Sequence, residues 1–211
     1  MKKIIAMSCI LTLLFMVIRI NTSPVLAAEL YSGYNLKWSD RINTSDVRVC
    51  WYDYNVSTNN QTLANCLSSG MYFWDALQKV QCVQTNSSTT GYIAHAVPTT
   101  TFWDGIFYDY GWGSTTGYTC VFDTNGVEIT PNNVANSTML IRGANIFYNP
   151  YSSIYITFTS SELACLISHE VGHALGFGHI FTSGTSVMVQ GEYQYTQLTT
   201  VDISNFNAKY Y

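Results

Sequence analysis

Between Thr159 and His179 the chain reads TSSELACLISHEVGHALGFGH, which places three of its four histidines within eleven residues. Thr159-Ser160-Ser161-Glu162 opens a helix with a hydroxyl cap and an acidic first turn. At about 100° per residue, Leu163, Ala164, Ile167, Val171 and Ala174 gather on one face, and His169 and His173, four apart, share another. One side of such a helix is buried and the other offers two imidazoles to a single metal ion, for which tetrahedral Zn²⁺ is well suited. Glu170 points about a quarter turn from the histidine pair, near the ion without ligating it, where a general base for an activated water belongs. Gly176 tolerates positive φ, so the chain can leave the helix sharply and bring His179 back as a third ligand. Three protein ligands leave one coordination position for water, which marks a catalytic site rather than a structural one. Cys165, one turn before His169, reads as packing, because helical side chains lean toward the N-terminus and the histidines already fill the protein's share.

The start of the chain bears on where such a site operates. Residues 1–28 read as a secretory signal: Lys2 and Lys3, an apolar run from Ile4 to Ile20, and Ser23-Pro24-Val25-Leu26-Ala27-Ala28 as breaker and cleavage site. The rival, an uncleaved anchor, is disfavoured by Arg19 at the end of the run and by the small pair Ala27-Ala28. The chain is therefore expected to be secreted, with residues 29–211 forming one catalytic domain, since 211 residues suit a single core. Losing Lys2, Lys3 and Arg19 changes the formal charge from −4 to −7. A surface so acidic argues against nucleic acid, or a membrane after signal removal, as partner.

Five cysteines remain beyond the signal, Cys50, Cys66, Cys82, Cys120 and Cys165. Export permits disulfides, but an odd number leaves at least one thiol over, and the sequence does not choose between bridges and small buried thiols. Sequons stand at Asn43, Asn55, Asn60, Asn86 and Asn136.

Along the rest of the chain, Val47 to Tyr54 reads as a first strand and the polar NVSTNNQT after it as a loop. Leu63, Leu67, Phe73, Trp74 and Leu77 recur at helical spacing, predicting a helix over about 62–80 with Gly70 inside it. Extended runs follow at 81–85, 92–97, 118–123 and 139–148, and TTFWDGIFYDYGWGSTTG reads as a long loop. A strand, a helix, several strands and a late helix predict an α+β chain, a mixed α/β sandwich with a partly parallel sheet.

HEVGHALGFGH is also the extended H-E-x-x-H-x-x-G-x-x-H signature, and by it the chain resembles the metzincin zinc endopeptidases. Met188, nine residues after His179, matches in type and placement the methionine turn that this family carries beneath its zinc. Leu198, Asp202, Ile203, Phe206 and Tyr210 fall at the spacing of the last helix of the matrixin branch. The departures are Ile180, where branches carry a characteristic residue, and Gln190, where astacins and serralysins carry a zinc-binding tyrosine. No cysteine-switch pro-region of the matrixin kind is identifiable, and His95 stands alone, reading as a strand histidine bonded to its neighbours.

The resemblance implies a metzincin-like fold with a mostly parallel sheet, a long active-site helix and a C-terminal helix. It implies peptide-bond hydrolysis with one Zn²⁺ held by His169, His173 and His179, Glu170 as general base, and Gly176 and Met188 in support. Calcium is a further cofactor of such domains, and no ligand set for it is identifiable here. A protein or peptide substrate is expected to lie extended along the strand at Tyr118–Asp123, beside a pocket walled by the segment carrying Tyr193 and Tyr195, and the chain to act as a monomer. The rival from another class is an exported binding or adhesion module with a vestigial or structural zinc site. It predicts a lost Glu170 or a fourth protein ligand, and the sequence has neither.

Overall fold

A computed structural model describes residues 36–40, 46–85, 92–107, 113, 115–130 and 139–211. Residues 1–28, read as a secretory signal, and the sequons at Asn43, Asn86 and Asn136 lie outside these residues. The described strands are β1 (Leu36–Trp38), β2 (Val47–Asp53), β3 (Val80–Gln84), β4 (Tyr92–Ala96), β5 (Gly117–Phe122), β6 (Met139–Ile141) and β7 (Gly143–Tyr148). The helices are α1 (Val56–Asn59), α2 (Gln61–Asp75), α3 (Thr100–Phe107), α4 (Ser160–Ala174) and α5 (Thr200–Tyr210).

Five strands form one sheet in the order β3-β2-β4-β7-β5, with β5 antiparallel to β7 and every other pairing parallel. β1 and β6 make a separate parallel pair. The chain is thus a mixed α/β structure with a mostly parallel sheet. Because side chains alternate across a strand, Trp51, Ile93, Ile146 and Tyr148 join the main core with α2 and α4. Ala96, Tyr118, Cys120 and Phe147 point the other way, into a smaller cluster closed by Trp103 of α3.

The helix expected over 62–80 ends at Asp75, and the reason is local. Gln78 takes a left-handed conformation with φ 56°, and the Asp75 carboxylate accepts from the Cys82 amide at 2.8 Å, so the chain turns directly into β3. Two segments read as loops contain helices. Asp53 accepts from the amides of Val56 and Ser57 at 2.6 and 3.0 Å, which starts α1 inside NVSTNNQT. The aromatic stretch from Thr100 begins with α3, where burial of Trp103 outweighs a glycine-rich composition. The single run expected at 139–148 breaks at Arg142, sending β6 to β1 and β7 to the main sheet. β1, three residues long, is too short for its sequence to mark it as a strand.

α5 is capped by Thr199 and Asp202 in a reciprocal box and buries Asp202, Phe206 and Tyr210, while Ile203 is partly exposed. The Tyr210 hydroxyl donates to Leu175 O at 2.7 Å and accepts from the Trp38 amide at 2.9 Å, tying the end of α4, β1 and α5 together. Cys50, Cys66, Cys82, Cys120 and Cys165 are free thiols. Two of the sequons have structural duties: Asn55 exchanges hydrogen bonds with Val97, and Asn60 caps α2 through Leu63 N. No helix among the described residues is long and apolar enough to cross a membrane.

Candidate metal centre

α4 starts as its sequence dictates. Thr159 Oγ1 accepts from the Glu162 amide and Glu162 reaches back to the Thr159 amide at 2.7 Å, satisfying two helix-end donors. Its other end is set by Gly176, whose φ is 85°. Gly176 N donates to His173 O at 2.8 Å and Phe177 N to Gly172 O at 2.9 Å, the paired bonds of a Schellman motif. A side chain at Gly176 would also run into the Leu36 carbonyl, so both the backbone angle and the space require glycine. The turn carries His179 back over the helix.

The three Nε2 atoms form a nearly equilateral triangle: 3.2 Å between His169 and His173, 3.2 Å between His169 and His179, and 3.1 Å between His173 and His179. Among the described residues these three side chains form a group able to hold a metal ion. His169 Nδ1 lies 2.8 Å from Val187 O and His173 Nδ1 lies 2.8 Å from Phe177 O. A carbonyl only accepts, so each Nδ1 carries the hydrogen and each Nε2 of the neutral ring presents a bare lone pair. Two lone pairs 3.2 Å apart repel unless a cation lies between them. His169, His173 and His179 would hold such an ion through these three converging nitrogens. The donor set therefore fits Zn²⁺.

Electrostatics keep the rings neutral. Burial, with the neighbouring imidazoles, lowers the pKa of His169 to about 4 and that of His173 well below the ordinary value, and burial lowers His179. Burial acts oppositely on Glu170, raising its pKa to about 7, while a hydrogen bond from Thr119 opposes the rise. A carboxyl poised there exchanges a proton near neutral pH.

Met188 lies buried under α4, its sulfur against Gly172 so closely that a methyl group there would overlap it. The residues around Met188 orient one imidazole and anchor the chain next to another. Val187 O receives His169, and Met188 O accepts from the Ile180 amide at 2.9 Å, fixing the residue that follows His179. The turn is held in its place by Asp202 of α5, which accepts from the Ser186 hydroxyl and from Val187 N at 3.2 Å. In the sequence Asp202 belongs to the terminal-helix pattern, and its only local signal for this role is that of an acidic residue within an apolar stripe.

The two tyrosines expected to wall a pocket part ways. Tyr193 stands with its ring 6.3 Å from that of His169, packed on Phe158 and hydrogen-bonded to Thr116 Oγ1 at 2.8 Å. Tyr195 instead reaches the Glu192 carboxylate at 3.3 Å. His95 is outside the cluster: it is buried, its Nδ1 lies 2.8 Å from the Tyr148 hydroxyl, and desolvation lowers its pKa to about 3. Cys165 is fully buried, as packing requires. Of the residues around Tyr193 and Glu170, Thr116 and Gly117 fall at the end of the segment read as a long loop and Thr119 in an ordinary strand, so none of them carries a sequence signal for the site.

No protein-family model matches the chain, and no curated protein matches it either.

Proposed function

We propose that the protein is an exported, zinc-dependent endopeptidase of the metzincin type, matrixin-like in its C-terminal helix. One observation carries the reading: His169 and His173, each fixed in one tautomer by a carbonyl, converge with His179 at 3.1–3.2 Å beside a buried glutamate. His169, His173 and His179 would hold Zn²⁺, which would supply Lewis acidity and make a water more acidic, with a pKa of about 7 in such sites. Glu170 takes the proton that the attacking water loses and delivers it to the departing amine, so that the water's oxygen ends on the carbonyl carbon. The tautomers of His169 and His173 need no adjustment during the reaction, because Val187 O and Phe177 O hold them.

The position of β5 at the sheet edge supports a protein or peptide substrate. Thr116 O turns inward to Asn149 N, and Val121 O turns outward to Ile129 N. Alternation then points the main-chain groups of Gly117 to the outer edge, where an extended peptide adds as a further strand. Tyr193 closes the end of this edge near His169.

The test is zinc stoichiometry on the signal-free protein together with hydrolysis of quenched casein or gelatin, with and without a chelator. One zinc per chain and chelator-sensitive cleavage is the expected result. One zinc with no cleavage across a broad peptide library would overturn the peptidase reading in favour of a binding module.

A further inference from the structure

Resting on the reading of Glu170 as general base, we propose that Thr119 and Gly117 of β5 are its positioning residues, holding the carboxylate from two sides. A glutamate side chain turns about three bonds, and a base works only when held within about 0.5 Å of its productive place. Nothing in α4 provides that restraint, since the helix fixes the main chain of Glu170 and leaves its carboxylate to whatever it meets.

β5 provides it. Thr119 Oγ1 donates its single hydrogen to Glu170 Oε2 at 2.6 Å, the shorter of its two contacts with that residue, and so holds the carboxylate. Thr119 is itself buried, which leaves the hydroxyl few alternatives. On the other side the carboxylate occupies space that exists only because residue 117 is glycine. A Cβ there would overlap Oε1 and come within 2.7 Å of the carboxyl carbon. Gly117 has no left-handed φ, so the requirement is for room and not for backbone freedom. With Oε2 engaged by Thr119, Oε1 is the oxygen that meets the water.

A neutral hydroxyl suits this task. A lysine or arginine at position 119 would pair with the carboxylate and hold it ionised, weakening it as a base, whereas threonine orients it without adding charge. Gly117 also carries main-chain groups of the outer edge, so the strand that is to receive the peptide is the one that aims the base.

The experiment compares Thr119→Val, Thr119→Ser and Gly117→Ala with the wild-type zinc protein. Thr119→Val is expected to retain one zinc per chain and an unchanged KM while kcat falls about 10- to 100-fold. Thr119→Ser, which restores the hydroxyl, is expected to recover kcat to within about threefold of wild type. Gly117→Ala should lower kcat in the same direction. A Thr119→Val kcat within about twofold of wild type, or a Thr119→Ser variant as slow as Thr119→Val, overturns the proposal.

A second readout needs no turnover: crystal structures of the metal-free wild type and T119V proteins. The carboxylate is expected on Thr119 in the wild type and displaced in T119V; the same carboxylate position in both overturns the proposal. A wild-type protein that binds zinc and cleaves nothing sinks the peptidase reading, while the crystals still decide whether β5 holds Glu170.

Discussion

α2 and α4 are both fifteen residues long and lie against each other, yet they solve burial differently. α2 buries a stripe, with Leu63, Cys66, Leu67, Gly70, Met71, Phe73 and Trp74 inward and Tyr72 65 % exposed. α4 is buried without interruption from Leu163 to Ala174, including Ser168, His169, Glu170 and His173. A helix with one apolar stripe needs only a surface to lie on. One buried on all sides must find partners for each polar side chain, or lose stability on the order of 1–3 kcal/mol for each that fails. α4 finds them for His169, His173 and Glu170 at Val187 O, Phe177 O and Thr119, and leaves the Ser168 hydroxyl without a partner among the described residues. The difference shows that the second face of α4, which looks solvent-facing by periodicity, is an interior surface lined by the sheet edge and the Met188 turn.

The largest expected effect removes the acid–base group from α4 while keeping its shape. Glu170→Gln preserves an oxygen for Thr119 and should retain zinc, yet lose about 10²- to 10⁴-fold in kcat. Residual activity within about tenfold of wild type would sink the assignment of Glu170 as base. The same variant sharpens the electrostatic side of the comparison in the metal-free protein. Glu170 has its folded pKa raised from 4.5 to about 7, so its contribution to stability is present below 4.5 and lost as pH rises through about 7. His169 has its folded pKa lowered from 6.5 to about 4, so its contribution is present above 6.5 and lost as pH falls through about 4. The metal-free wild type should lose melting temperature on both sides, and Glu170→Gln should abolish the alkaline loss alone. Superimposable melting profiles for the two proteins would show that Glu170 is not desolvated as described.

A smaller effect is expected where the helices touch. Gly70 meets Ile167 so closely that a Cβ would overlap it, and would lie 2.8 Å from Ala164 O. Helix propensity alone favours Gly70→Ala by about 1 kcal/mol. Overpacking against rigid backbone costs about 1–3 kcal/mol, and we expect it to win, giving net destabilisation in chemical unfolding. A stabilised variant would mean that the seam yields, and that α4 is less tightly enclosed than the contact implies.

The same contrast explains what was legible in the sequence. Every feature of α4 that places the three histidines is local: the Thr159 cap, the i,i+4 spacing and the glycine at 176 lie within twenty-one residues. Tertiary features were legible only where a single residue type betrayed them. Asp202 stood out by its charge, but its partners Ser186 and Val187 lie in a turn that no helix pattern identifies. Thr119 was invisible, because a β-branched residue in a strand is ordinary and only folding brings it to Glu170. Among the elements, α1 and α3 were missed because a side-chain cap and one buried tryptophan decided short segments that composition assigned to loops. β6 and β7 were merged because both read as one extended run, and the break at Arg142 is fixed by separate partner strands.

The smallest expected effect belongs to the outer face of α2. Tyr72 is a large aromatic residue two positions before Trp74, and composition treats them alike. Trp74 is 1 % exposed, donates to Ser168 O at 2.9 Å and stacks on Phe177 with centroids 5.4 Å apart. Tyr72 projects from the opposite side. Truncating it removes little buried area, and alanine is the better helix former by a few tenths of a kcal/mol, so the two small terms nearly cancel. Tyr72→Ala should change unfolding free energy by less than about 0.5 kcal/mol and leave zinc content and cleavage at wild-type levels. A loss above about 1 kcal/mol would mean that this face is covered in the folded protein. In that case α2 would resemble α4 in being enclosed on two sides, and the stripe that distinguishes the helices would be only part of their burial.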